Sequence, residues 1–352
     1  DMLKECIESV RLQAYQNWEF CIADDGSTSE ETLSTLRAAA EDPRIRLSFS
    51  SENGGICHAT NRALDMAKGE YVAFLDHDDR LSTDALFLVA KAIIKSRESG
   101  KEADVIYSDR DMLSLRGLRF MHLFKPDWSP ELLFSMNYIC HLMVYRTELV
   151  KRVGGLHKEF EGSQDYDLIL RVMEWNPEVL HIPYILYHWR QNTQSVALNH
   201  DAKTYAYKAG VLALEHSLKR RGLNGDVCEL SDLWRGHYRV KLDLPEGSIF
   251  FVTIESENGS SSLDYALKAE KAISRAVDRE FDYIVVLSGE LIDISKHYEN
   301  SRDGFEEISS WFQIPEVGIV TGKLITEDSK IVHAGSILKP DGYPLYVFEN
   351  RE

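Results

Sequence analysis

The 352-residue chain has no apolar run approaching the ~18 residues of a membrane-spanning helix. It has no Cys-x-x-Cys pair either. Cys6, Cys21, Cys57, Cys140 and Cys228 stand far apart, which argues against a zinc ribbon or a disulfide framework. An odd, scattered set of thiols without a leader segment reads as reduced and cytoplasmic. Positive charge is scarce, with 40 Lys and Arg against 57 Asp and Glu and a formal net charge of −17. A nucleic-acid surface needs a basic stripe, so nucleic acid is excluded as a partner. Phosphate-binding glycine loops are absent too, because neither Gly-x-Gly-x-x-Gly nor Gly-x-x-x-x-Gly-Lys occurs. What remains is ample for a core, since 44% of residues are hydrophobic. The length suits two domains of roughly 150 residues each.

Apolar periodicity lays out alternating helices and strands. Leu3, Ile7 and Val10 form a helical stripe, and strands are predicted over Trp18 to Ala23 and Arg44 to Phe49. Thr28 and Glu31 have capping-box spacing for a helix running to Ala40. The turn Asn53-Gly54-Gly55 leads to a helix carrying Ala59, Ala63 and Leu64. A strand at Tyr71 to Leu75, a helix at Thr83 to Ser96 and a strand at Asp104 to Ser108 follow. Further on, strands are expected at Leu142 to Tyr145 and His181 to Trp189, and helices at Leu168 to Trp175 and Asp201 to Arg221. Such alternation predicts an α/β fold with a doubly wound, mostly parallel sheet. The character changes near Leu230, so 1–230 reads as one domain and 231–352 as a smaller α/β domain. Its strands are expected at Ile249 to Ile254, Tyr283 to Leu287, Val317 to Thr321 and Ile331 to Leu338, with a helix at Leu263 to Val277.

The apolar run Tyr71 to Leu75 passes directly into Asp76-His77-Asp78-Asp79, three carboxylates in four residues. Alternation along an extended segment sends Asp76 and Asp78 to the same side, where they repel unless a cation sits between them. Oxygen ligands suit Mg²⁺ or Mn²⁺, and open α/β sheets bind ligands beyond the carboxyl ends of their strands. The plainer reading is an acidic surface turn. Asp24 and Asp25 end an earlier strand in the same way, either accepting hydrogen bonds from a base and ribose or capping a helix. Asn53 to Gly55 lets backbone approach a ligand closely, or is simply a turn. Asp165 and Asp167 sit just before a helix, where acids also oppose the macrodipole. His188 ends a strand beside Trp189 and Arg190, and Arg190 either neutralises a phosphate or pairs with a surface acid. Tyr107-Ser108-Asp109-Arg110-Asp111 is a further acidic strand end or an ordinary turn.

Taken in order, these stretches resemble glycosyltransferase family 2, the inverting nucleotide-sugar transferases of the GT-A fold. The resemblance covers about the first 230 residues. It rests on Asp24-Asp25-Gly26-Ser27-Thr28, Asn53-Gly54-Gly55, Leu75-Asp76-His77-Asp78-Asp79, Tyr107-Ser108-Asp109, Phe124-Lys125-Pro126-Asp127-Trp128-Ser129, Glu161-Gly162-Ser163-Gln164-Asp165-Tyr166-Asp167 and Tyr187-His188-Trp189-Arg190. It is strongest toward the bacterial surface-polysaccharide subgroup. The resemblance implies a nucleotide-diphospho-sugar donor and a glycan or lipid-linked glycan acceptor. It also implies Mn²⁺ or Mg²⁺ as cofactor, and a cytoplasmic enzyme working at the inner face of the plasma membrane. Asp165 is the implied catalytic base. Asp24, Asp25, Asn53, Gly55, Asp76, His77 and Arg190 are implied contacts of the nucleotide sugar, and Asp78 and His188 implied metal ligands. The family's opening strand, central to its sheet, is missing here, which reads as a truncated sequence.

The tail resembles the same family again through Glu316 to Leu324 and His333-Ala334-Gly335, with Ser288-Gly289-Glu290 where an Asp-x-Asp pair belongs. It reads as a degenerate or partial second domain. A phosphatase of the Asp-x-Asp kind would need Thr or Val where Arg80 stands. A non-catalytic sugar-binding or scaffolding module is the other alternative. A hard cation takes about six oxygens, which Glu290 alone cannot provide. Titration with a nucleoside diphosphate and Mn²⁺ should therefore saturate at one site per chain. A stoichiometry of two, with the second site surviving Asp78→Asn, would make the tail a working transferase domain.

Overall fold

The computed structural model describes residues 2–191, 204–231 and 235–244, and beyond these the short elements given below with a few isolated positions. By compactness the chain divides into two units, Asp1–Gly222 with Asp226–Val240, and Leu223–Gly225 with Lys241–Glu352.

The first unit runs α1 (Met2–Arg11), β1 (Phe20–Asp24), α2 (Glu30–Ala39), β2 (Ile45–Phe49), α3 (Ile56–Met66), β3 (Tyr71–Ala73), β4 (Arg80–Leu81) and α4 (Ala85–Glu98). It continues with β5 (Val105–Leu113), β6 (Arg119–Leu123), α5 (Pro130–Leu133), β7 (Met143–Arg146), α6 (Thr147–Arg152), α7 (Gln164–Met173), β8 (Val179–Arg190), α8 (Thr204–Arg221), β9 (Gly225–Glu229) and β10 (Tyr238–Leu242). The expected elements are present, with local differences that have physical causes. Ser29, not Thr28, caps α2, because its extended backbone lets its hydroxyl accept from the Thr32 amide. Helix α7 begins at Gln164, so Asp165 and Asp167 lie inside its first turn. The strand expected to stop at Ser108 continues to Leu113, since Asp109 and Asp111 meet histidines of β8 there. They are therefore strand residues, not a turn.

The fold is α/β, but its sheets are mixed. β1 pairs in parallel with β2 alone. A six-stranded sheet has the order β3-β7-β5-β8-β4, with β6 on β5. Within it β5 and β8 are parallel, whereas β3–β7, β5–β7, β4–β8 and β5–β6 are antiparallel. β7 is reached from β5 through a hairpin and a loop instead of a long helical crossover, so it runs back along its neighbour. Helix α1 joins the two sheets. Its Ile7 packs with Ala39 and Ile45 under β1 and β2, and its Val10 with Leu81, Ala85, Ile106 and Leu142 under the larger sheet. Each such fully buried aliphatic side chain contributes roughly 1.5–3 kcal/mol.

Between β1 and β3 lies an apolar cleft of about 770 Å³, flanked by Phe20, Ile22, Tyr71, Val72, Ala63 and Val144. Among the described residues neither strand has a partner on this side. The cleft lies between the two-stranded sheet and the six-stranded sheet. It also explains why β3 stops at Ala73 and is only half-buried, where a fully buried strand to Leu75 was expected.

In the second unit β11 (Ile249–Ile254) and β12 (Tyr283–Ser288) are parallel, in register from Ile249↔Tyr283 to Ile254↔Ser288. β13 (Leu324–Ile325) pairs antiparallel with β14 (Ile331–His333), and β15 (Ser336–Leu338) with β16 (Pro344–Tyr346). The expected strand Val317 to Thr321, most of the helix Leu263 to Val277, and Gly289-Glu290 lie outside the described residues.

Strands β1 and β3 are bonded along one edge, β5 along both. Amide exchange should rank Val105 to Tyr107 among the slowest amides and Val72 and Cys21 as clearly faster. Equal protection of β3 and β5 would show that the cleft is closed in solution.

Candidate functional site

The loop after β3 is fastened from below. Asp79 is fully buried, and its carboxylate accepts the Tyr187 hydroxyl at 2.5 Å and the Arg190 amide at 2.6 Å. The register makes this possible, because β4 pairs antiparallel with β8 with Arg80 opposite His188. Burial, with Asp76 nearby, pushes the Asp79 carboxyl up to about 8. Arg190, expected at the donor, is itself buried. Its Nε donates to the Asp78 carbonyl at 2.6 Å and its Nη2 to Glu5 at 2.7 Å, so it ties the acidic loop to α1.

Asp76 rises half-exposed above this anchor, and its amide donates to the Tyr187 hydroxyl. Its Oδ2 lies 3.8 Å from Nε2 of His141. Asp76, Asp79 and His141 each offer a ligand atom within 4.8 Å of the others, a set able to hold a metal ion. The expected ligands Asp78 and His188 are not in that group, and His77 is exposed. His188 is held instead by Asp111, 2.6 Å from its Nδ1, and Asp111 is also paired with Arg119. A carboxylate on Nδ1 is the usual way a protein orients an imidazole whose Nε2 is to act as a ligand. Burial nevertheless holds the His188 imidazole below its ordinary range, against the pull of Asp111.

His141 had no signal in the sequence beyond being a lone histidine ahead of a strand. Tertiary contacts place it. Its ring stacks on Tyr187 at 4.7 Å and 10°. The backbone before it is pinned by Lys125, whose buried Nζ donates to the carbonyls of Ile139, Cys140 and His141 at 3.2, 2.9 and 2.5 Å. Burial brings that ammonium down to about 7. Burial also depresses the His141 imidazole, while Asp165 and Asp78 pull the other way. A second histidine the sequence did not single out, His181, bridges Asp109 at 2.9 Å and Asp127 at 3.0 Å. It thereby fixes the loop that carries Lys125.

The two acids of α7 separate by environment. Asp165 is half-buried, accepts from Asn137 Nδ2 at 2.9 Å, and lies near enough to His141 and Cys140 to act on both electrostatically. Asp167 is completely buried against Arg171, whose guanidinium also donates to the carbonyls of Val153 and Gly155.

The remaining predicted contacts gather at the N-terminus of α3. Asp25 accepts the Gly54 amide at 3.0 Å and the Gly55 amide at 2.8 Å. Partial burial pushes its carboxyl up, but these amides and His58 outweigh it and hold the carboxyl below its ordinary range. The Asn53 side chain also accepts from Gly55. Gly55 has φ +92°, and a Cβ there would lie 2.5 Å from the Glu161 carboxylate, so only glycine fits. Asp24 is buried and turns the loop by accepting the Ser27 amide.

The first unit is thus a mixed α/β fold with carboxylates and histidines gathered at its strand ends. Residues 1–154 match the model of Glycosyl transferase family 2. The chain is 36% identical to the uncharacterized protein y4gI of Sinorhizobium fredii, over 96% of its own length and 42% of that relative's. It is 33% identical to the O-antigen biosynthesis protein RfbC of Myxococcus xanthus, over 98% of its length and 30% of the relative's. It therefore spans less than half of either relative. Among solved structures it is similar to S. aureus TarS in complex with UDP-GlcNAc, at 20% identity and a TM-score of 0.47, covering 60% of this chain and 61% of that one.

Removing one partner of a buried ion pair costs typically ~3–5 kcal/mol. Asp167→Asn should therefore lower unfolding stability by about that much in urea denaturation, whereas Asp165→Asn should change it by under ~1 kcal/mol. Similar losses for both would make Asp165 a structural residue.

Proposed function

We propose that the chain is an inverting glycosyltransferase that moves a sugar from a nucleotide-diphosphate donor to a hydroxyl of a growing surface polysaccharide, of the O-antigen or capsule kind. The family match over residues 1–154 and the similarity to an O-antigen biosynthesis protein support the class of reaction. The observation that carries the reading is that Asp76, three residues past β3, lies 3.8 Å from the partly exposed His141, whose imidazole Asp165 of α7 also influences electrostatically. A carboxylate cluster for the donor and a separate carboxylate for the acceptor thus face one place.

The chemistry of the donor set fits Mn²⁺ or Mg²⁺, the imidazole of His141 favouring Mn²⁺. Asp76 and His141 would hold such an ion, with Asp78 and the Nε2 of His188 as the further ligands the resemblance implies. When bound, the ion neutralises charge on the diphosphate. The residues do the rest. Asp25 keeps acceptor capacity for a base N–H or ribose hydroxyl, because a carboxylate has about four lone-pair sites. Asp24, Asn53 and Gly55 shape the wall beside it, His77 stands at the lip, and Arg190 holds the loop in position. Asp165, oriented by Asn137, takes the proton of the acceptor hydroxyl as it attacks the anomeric carbon from the face opposite the leaving group. A single displacement inverts that centre, so no nucleophilic residue is needed. The acceptor is a glycan or a lipid-linked glycan, met at the cytoplasmic face of the membrane.

The alternative is a non-catalytic sugar-binding or scaffolding module, favoured by Arg190 and Asp25 having internal partners. Kinetics separate the two readings. A general base contributes ~10²–10⁴ in rate, so Asp165→Asn should reduce transfer by that order while calorimetry shows nearly unchanged affinity for the nucleotide with Mn²⁺. Undiminished transfer would remove Asp165 from the chemistry. Absence of transfer by the parent chain, with nucleotide still bound, would favour the module.

A further inference from the structure

The hairpin joining β5 to β6 has a composition unlike the rest of the chain. From Ser114 to Phe124 it carries Arg116, Arg119 and His122 and no carboxylate, within a chain of net charge −17. Its large apolar side chains point outward: Leu115 is 62% exposed, Leu118 67%, Met121 63% and Phe124 71%. Single exposed hydrophobes are ordinary, but several together on one short hairpin mark a surface that meets another phase or partner. The hairpin is built, not loose. The Ser114 amide donates to the Leu118 carbonyl at 2.8 Å, the Gly117 amide to the Ser114 carbonyl at 2.9 Å, and the Leu118 amide to the Ser114 hydroxyl at 3.0 Å. Met121 has φ +46°, a conformation that costs a non-glycine residue about 1 kcal/mol or more.

Its position adds the second half. β5 and β8 run in parallel with Asp111 opposite His188 and Leu113 opposite Arg190. The turn at Ser114 therefore begins where the strands carrying the site end, and Arg119 is itself paired with the Asp111 that holds His188. We propose that this hairpin is a membrane-docking element, its leucines, methionine and phenylalanine entering the interface of an anionic bilayer while its arginines meet the headgroups. The charge pattern selects this occupant over a second copy of the chain. Two such hairpins laid edge to edge would bring like-charged arginines together, whereas anionic headgroups complement them. An otherwise acidic protein is repelled by an anionic surface except where a basic, apolar projection leads. Docking here would place the site beside lipid-anchored acceptors. That last consequence rests on the transferase reading; the surface itself does not.

The test uses the full chain and sedimentation with two kinds of vesicle, phosphatidylcholine alone and phosphatidylcholine with phosphatidylglycerol. Binding should require the anionic lipid and weaken with salt. Arg116→Gln should reduce it about fivefold, the worth of one cation near such a surface, and the double variant Leu118→Asp with Met121→Asp should reduce it at least tenfold. Calorimetric binding of a nucleoside diphosphate with Mn²⁺, measured on the same preparations without lipid, should be unchanged in all variants. That control shows intact folding and reports on the transferase reading independently. Equal vesicle binding by parent and double variant would overturn the proposal. So would a parent that ignores both vesicles, or a parent whose light scattering shows a dimer that the double variant loses, which would assign the face to a second copy.

Discussion

The site depends on one buried contact, between the Tyr187 hydroxyl and the Asp79 carboxylate. Asp79 is cut off from solvent, so its carboxyl must be hydrogen-bonded where it sits, and Tyr187 and the Arg190 amide satisfy it. Three further placements follow. The Tyr187 hydroxyl accepts the Asp76 amide, which fixes where the exposed carboxylate begins. The Tyr187 ring carries His141 stacked on its face. Arg190, brought in beside Asp79, ties the Asp78 carbonyl to Glu5 of α1. An acidic loop that would otherwise repel itself is held by partners on β8 and α1.

Around this anchor, buried polar side chains act as fasteners between segments distant in sequence. Lys125 gathers three consecutive carbonyls, His181 bridges Asp109 and Asp127, His188 is held by Asp111, and Arg171 joins Asp167 to the Val153 and Gly155 carbonyls. Each is costly to leave half-made, because an unpaired charge in the interior loses its hydration without compensation. Hence the several charged residues in the strands and loops of the first unit are compatible with a close-packed core of Ile106, Leu142, Val144 and Leu186. An apolar cleft lies open between β1 and β3, with α1 packed against both sheets.

Much of the fold was legible because it is written in local periodicity. The stripe Leu3, Ile7, Val10 gave α1, and the apolar runs gave β1, β2, β7, β8 and the two parallel strands of the second unit. Asp165 was legible as an acid at a helix start, and it lies in the first turn of α7. Its neighbour Asp167 was not separable by sequence, since burial against Arg171 decides its role. Local pattern left Asp109 and Asp111 open between a strand end and a turn for the same reason: their histidine partners lie on β8, some 70 residues on, beyond any local signal.

By itself, then, the amino-acid sequence determined the class of fold, the order of its elements and the strand end where carboxylates collect, all properties of short-range pattern. Tertiary structure decided which of those carboxylates are buried and which stay exposed. It turned Arg190 inward, gave Asp79 to Tyr187 and Asp25 to the Gly54 and Gly55 amides, and brought His141 to Asp76. It also made the sheet mixed and left β1 and β3 apart. The reason is the same in each case. Strand pairing and burial are set by contacts between residues far apart in the chain, and a side chain's chemistry follows from the neighbours that pairing supplies.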